Sequence, residues 1–355
     1  MYRDIATSLY RRGEASMDGY EMPGWAWGVF AASLLVFIPM LLVVGYTFQH
    51  IYPALAIIED PSPPAYDHIS LGEDGRAMPK DTRPAAPEAE SLVAPRAITS
   101  SLRSTHRAIY AISGWRSLFR GYVAYTFFSS VMGAVASVIR AFGVPTLIAM
   151  PLAALAVAQP YAAWTHIIIS APSSKYFWQR LPPFKRAIHA TAAPILLYVL
   201  AAELSGFLPG ALAVLLKMNM WNHKQPNTLP QYNKDDAWKG VVVILSALAV
   251  QVFLVIPAQV VLTRVQASFL PEEDDTIVPF DRSFGGKVVP AIVGGKGYIN
   301  MADAWKSFSR ASWIRLVKLY VKIFVITVAI CFAWVAVLIP EFIIVANHSR
   351  KTGDL

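Results

Sequence analysis

The sequence predicts an all-α membrane protein of six transmembrane helices, built as three pseudo-repeats of two helices each. Three observations lead there. Of 355 residues, 55% are hydrophobic and only 15% charged, against about 25% charged in ordinary soluble domains. Six apolar runs reach the roughly 20 helical residues needed to cross a hydrocarbon core. A stretch near residue 113 matches another 198 positions later. The composition excludes whole-chain disorder and an ordinary soluble enzyme. The single Cys excludes a disulfide framework and a Cys-based metal cluster. The net charge of +8 comes from dispersed Lys and Arg without the basic, aromatic-interleaved tract that nucleic acid requires, so no nucleic-acid partner is expected.

The spans are expected at Trp25–Phe48, Gly121–Ile139, Val144–Ala171, Ala190–Leu216, Gly240–Thr263 and Val321–Ala346. They are too long, and alternate too little, for barrel strands. The first is not a cleavable signal, because it starts only at Trp25, is too long and lacks a small-residue cleavage site. Asp4, Glu14, Asp18 and Glu21 among the preceding residues argue against an Arg-rich presequence. The first loop, between about Glu59 and Arg96, is rich in Pro, Ala and acids and is expected to be disordered. The Gly-rich Phe284–Gly297 stretch of the fifth loop lacks the phosphate-loop pattern and reads as a flexible connector. Trp25, Trp27, Trp164, Trp238 and Tyr320 near span ends read as interface aromatics. The first, third and fifth loops carry 20 of the 31 Lys/Arg, whereas the termini and the other loops carry 10. The positive-inside bias therefore puts the odd loops inside and both termini outside.

The internal match overlays Ser113–Val123 on Ala311–Val321, with Trp115 on Trp313, Arg120 on Lys318 and Tyr122 on Tyr320. An offset of 198 suits three units of about 100 residues. They are repeat 1 at 1–143 with an insertion at about 59–96, a shortened repeat 2 at 144–217, and repeat 3 at 218–355. Each odd span carries a proline at similar depth (Pro39, Pro160, Pro257), which would kink it. Three such helices could converge at one membrane face around a cavity open to the other. Small residues at four-residue spacing (Ser129, Gly133, Ser137; Ala202, Gly206, Gly210) predict close helix packing.

These features resemble the mitochondrial carrier family. Pro257, Arg264 and Gln266 in "PAQVVLTRVQ" fit its signature after an odd-span proline. "GWRSLFRG", with Gly114, Arg120 and Gly121, is close to its motif before an even span, and "SWIRLVKL", with Lys318, is a worn copy. The resemblance implies a carrier-like fold and residence in the mitochondrial inner membrane, with an outer or other organelle membrane as alternative. The departures are equally specific. Gln259 and Leu262, Ala162 and Thr165, and Leu41 and Val44 occupy the places of the family's acid–base gate pairs.

Ionisable groups at membrane depth are the functional candidates. Glu203 lies near the middle of the fourth span. His166, Gln259, Arg140 and Lys322 complete the candidate cavity residues, although His166 reads first as a packing or interface histidine, Gln259 also suits a bond to a neighbouring helix, and the two cations can snorkel. No catalytic, cofactor or metal motif is present, Cys331 reads as a packing residue, and the chain is read as no enzyme. Expected partners are the bilayer, a small-molecule solute of unknown identity, and a protein reached through the loops. Two functions stay open: a solute transporter with a central cavity, or a non-transporting scaffold, receptor or insertion factor that keeps the fold.

Overall fold

The computed structural model describes residues 20–21, 23–60, 97–218, 236–348 and 350–351. It is almost entirely helical: α1 (Gly24–Ile58), α2 (Leu102–Ser113), α3 (Tyr122–Ala141), α4 (Thr146–Ala156), α5 (Ala158–Ile169), α6 (Phe184–Leu215), α7 (Ala237–Ser268), α8 (Met301–Lys306) and α9 (Arg310–His348). Five helices or helix pairs, namely α1, α2 with α3, α6, α7 and α9, are long and apolar enough to cross a membrane, and α4 with α5 makes a sixth if counted as one span. In the five continuous ones only 6–22% of the most apolar stretch is buried. Apolar side chains turned outward over that length suit contact with lipid. The insertion expected at about 59–96 falls outside the described residues from 61 onward.

Prolines divide the odd spans. Pro160 has no N–H, and its ring crowds the carbonyl of Ala156, four residues earlier. The chain accordingly breaks at Val157, and α4 meets α5 at a bend of 68°. Spans one and five solve the same problem by widening into π-helix, over Val43–Ile51 in α1 and Gln251–Val255 in α7. A π segment displaces the carbonyls that Pro53 and Pro257 would otherwise strike. Pro53 and Pro257 each stand second in the α-helical segment that follows, and Pro160 stands third in α5. Proline is tolerated in that first turn. Pro39, expected to match them, instead sits inside regular α-helix. Its depth in the apolar run coincided with theirs, but its local setting does not.

The two copies of the internal match also differ. The first leaves α2 at Gly114 (φ +62°), forms a 3-10 turn over Gly114–Phe119, and re-enters helix at Gly121 (φ +70°). Only glycine adopts such angles at little cost. The second copy has no glycine and runs as unbroken α9.

By its contacts the chain forms two compact units. The first holds residues 1–49 and 321–355. Within it the start of α1 lies antiparallel to the end of α9. Ring contacts join Trp25 to His348 (5.6 Å), Phe30 to Phe342 (5.3 Å) and Phe37 to Trp334 (6.1 Å). Ser33 Oγ donates to Glu341 Oε1. Short strands β1 (Tyr20–Glu21) and β2 (Arg350–Lys351) pair at the end of this couple.

The second unit holds residues 50–320. Every residue of α7 from Val260 to Ser268 is buried, as expected of a segment surrounded by other helices. It contacts the ends of α1 and α5, and also α6 and α8. Ala154, Ala158, Ile195, Val199 and Leu262 form one apolar cluster, and Val261, Val265, Phe269, Phe284 and Ile299 belong to another. The fifth loop therefore does more than connect. Phe284 and Ile299 enter the core, and Gly295 N and Gly297 N donate to Pro290 O and Val289 O in closed turns.

Three further expectations change. An added Cβ at Gly133, Gly206 or Gly210 would meet nothing within 4 Å among the described residues, so within the second unit these glycines do not seat a described neighbouring helix. Cys331 is exposed on α9 rather than packed. Glu59, placed at the edge of the expected disordered segment, is 3% exposed and firmly bonded.

Candidate functional site

The C-terminal segments of α1, α5 and α7 meet one another in the second unit. Arginines finish the exposed carbonyls there. Arg120 Nε donates to Ile167 O near the end of α5 at 2.7 Å. Arg264 NH1 donates to Ile57 O at the end of α1 (3.1 Å), while its Nε reaches Ala304 O (3.0 Å) and its NH2 reaches Ser307 Oγ (3.0 Å). The Phe284 and Phe308 rings lie 4.9 and 5.4 Å from the Arg264 guanidinium carbon. Arg315 NH2 donates to Glu59 O (3.0 Å), and its NH1 lies 3.4 Å from Glu59 Oε2. A cation at a helix C-terminus satisfies carbonyls that lack intrahelical donors and meets the negative end of the dipole.

Glu59 also fastens the chain where it returns. Its carboxylate accepts from the backbone N–H groups of Ile98 and Thr99 and from Thr99 Oγ1. The two ends of the 59–98 excursion are thereby joined at one buried carboxylate. Nearby, Arg180 and Asp274 form an ion pair at 2.9 Å with side chains only 6% and 14% exposed.

Beside these helix ends lies a cavity of about 150 Å³ to which α1, α3, α5, α6 and α7 all contribute. Six of its lining residues are aromatic: His50, Tyr125, Phe128, Tyr161, Trp164 and Tyr198. The Trp164 ring centroid lies 5.4–5.7 Å from those of His50, Tyr125, Phe128 and Tyr161. The polar lining is neutral: Ser129, Thr165, Thr263, Gln259 and Gln266. Tyr320 OH donates to Gln259 Oε1 at 2.6 Å. Thr165 Oγ1 donates to Gln266 Oε1 at 2.7 Å, and Gln266 O lies 2.8 Å from His166 Nε2. Gln266 is 1% exposed, and its Nε2 has no hydrogen-bond partner among the described residues. Among the described residues, no Asp, Glu, Lys or Arg lines this cavity. Among the described residues no three metal-ligating side chains come together.

The structure thus joins Gln259, Gln266 and His166 around one site and leaves the other candidates apart. Glu203 is half-buried on α6, one turn beyond Val199, outside the lining. Arg140 is exposed at the end of α3, and Lys322 is exposed on α9. Lys318, overlaid on Arg120 in sequence, is exposed. Arg315, one turn earlier on the same helix, performs the capping instead. Sequence reasoning missed Glu59, Arg315, Glu341 and the aromatic lining. Trp164 and Tyr320 read as interface aromatics but face inward, at 5% exposure for Trp164 and through the Gln259 bond for Tyr320. The available signals were separate: Trp164 lies one turn after Pro160, and Tyr320 is the counterpart of Tyr122 in the internal match. Comparison with protein-family models, curated proteins and solved structures finds no match to this chain.

Proposed function

We propose that this chain is a solute transporter of carrier-like, three-repeat design, with its substrate contact in the aromatic, amide-lined cavity. The carrying observation is that five separate spans supply the lining of one cavity beside the converging ends of α1, α5 and α7. A cavity that several spans build is one whose shape changes when the spans move relative to one another, as alternating access requires.

In this reading the carrier-type ion pairs are replaced by neutral bonds. Thr165 stands at a gate position and bonds Gln266, and Gln259 stands at another and bonds Tyr320. With Pro53 taken as the first-span proline, the corresponding positions are Leu55 and Ile58, both buried. Neutral hydrogen bonds contribute about 0.5–1.5 kcal/mol each, so such a gate opens at modest cost. The mitochondrial inner membrane, with odd loops on the matrix side, is the residence this design suggests.

The test is uptake by proteoliposomes offered a panel of anionic, cationic and neutral solutes. Expected is saturable uptake of at least one solute, reduced about tenfold or more by Trp164→Leu or Gln259→Leu and little changed by Arg140→Gln or Lys322→Gln, whose side chains lie outside the cavity. Uptake equal to that of empty liposomes for the whole panel, with folded protein, would turn the reading toward a scaffold or receptor.

A further inference from the structure

We infer that the cavity selects a small methylated ammonium compound bearing one oxygen acceptor, of the choline class; this rests on the transporter reading and names its substrate class. The charge of the lining decides against the alternatives. Among the described lining residues an anion would meet neither Lys nor Arg, and a divalent metal would meet no carboxylate. Six aromatic residues surround the space instead, and the negative faces of such rings attract a weakly hydrated organic cation.

Size agrees. At about 150 Å³ the cavity is compact and suited to a small ligand. Polarity agrees as well. The amide of Gln266 lines the cavity and has hydrogen-bonding capacity that the protein leaves unspent at Nε2. The hydroxyl or carboxylate oxygen of the ligand would use that donor, and Thr263 and Ser129 offer further hydroxyls. Trp164, in ring contact with four of the other five aromatic residues, is the centre of the cage.

The experiment is equilibrium binding of radiolabelled choline to the full chain in lipid nanodiscs. Its competitor is 3,3-dimethylbutan-1-ol, which has choline's shape without the charge. Expected is saturable choline binding, with the neutral isostere about tenfold or more weaker, a difference in the range of a desolvated cation–π contact. Trp164→Leu, which keeps apolar bulk and removes the ring, should weaken choline about tenfold while thermal stability shows that it remains folded. If Trp164→Leu fails to fold, the isostere comparison on the unaltered chain still decides. Absence of saturable choline binding to folded protein, or equal displacement by the isostere, overturns the inference. In that event uptake of a different solute would leave the transporter reading standing, whereas choline binding without any uptake would support the site and remove transport.

Discussion

Arg264 shows what one side chain can hold together. From α7 it reaches the end of α1, the end of α8 and Ser307, with aromatic rings on two sides. A buried guanidinium whose partners are carbonyls is replaced poorly by a point charge. Arg264→Ala is expected to lower stability by about 3–5 kcal/mol, and Arg264→Lys by about 1.5–3 kcal/mol, read as thermal unfolding in detergent. Glycines give a contrast of sign. At Gly121 φ is +70°, and a Cβ would lie 3.2 Å from side-chain atoms of Ile167, Ile168 and Trp164. Gly121→Ala should cost about 1–3 kcal/mol. Gly206→Ala, in open helix surface, should gain about 0.5–1 kcal/mol, and the same unfolding measurement separates them. In the fifth loop, burial pushes the Asp281 carboxyl up, but hydrogen bonds from Ser283 Oγ, Gly285 N and Ser283 N outweigh it and hold it below the ordinary carboxylate range. A carboxyl lowered on folding supports the fold above its unfolded value of about 3.9, and loses that support as pH falls through the folded value. Protection of the Gly285 amide, relative to its intrinsic exchange rate, should therefore hold from neutral pH through the unfolded carboxyl value of about 3.9 and be lost only as pH falls through the lower folded value. Asp281→Ala should remove that protection already at neutral pH.

At the scale of elements, most of the helices follow from the apolar runs, because twenty or so apolar residues in lipid have no other way to satisfy their backbone. What the runs did not reveal was where each helix yields. The π segments of α1 and α7 and the break before α5 are set by Pro53, Pro257 and Pro160. Counting depth within a run selected Pro39 because it too lies deep in apolar sequence. Only local geometry separates a proline in the first turn of a segment from one within it. Glycine decides likewise between the broken copy at Gly114–Gly121 and the continuous one in α9. The insertion gives a test at this scale. Its ends meet at Glu59, bonded to Ile98 and Thr99. Loop-closure cost changes only by about 0.6 kcal/mol per doubling of length. Replacing residues 61–96 by a short Gly/Ser linker should leave thermal stability within about 1 kcal/mol of the parent. Disrupting the tie by Glu59→Ala should destabilise far more, since it strands Arg315 without its carboxylate.

For the whole molecule, the expectation open to measurement is orientation. Single cysteines in a Cys331→Ser background, one at Lys175 in the third loop and one at Lys217 after α6, should be labelled by an impermeant maleimide from opposite sides of the membrane. Labelling from the same side would remove α6 as a span and with it the six-span design. The apolar helices and their approximate limits were legible in the sequence, as five candidate spans with a sixth if the bent α4–α5 pair is counted as one. The lining was not legible. Tyr125, Trp164 and Tyr198 lie in three different spans, and no pattern within any one span announces that they share a cavity. Glu203 stood out because a mid-membrane acid is costly wherever it points. Direction, however, is a property of packing, and packing places it beyond the lining.

Sequence alone determined that this chain is a bundle of helices suited to lipid, because hydrophobic length and backbone hydrogen bonding act on each segment separately. It held the prolines and glycines that interrupt those segments, but not which of them would do so: Pro39 stays within regular helix, whereas Pro53 follows a π segment. Only the tertiary structure decided which side chains face one another. The arginine caps on neighbouring helix ends, the Glu59 tie and the uncharged aromatic cage all join residues tens to hundreds of positions apart. Their energies come from proximity, which no single stretch of sequence encodes.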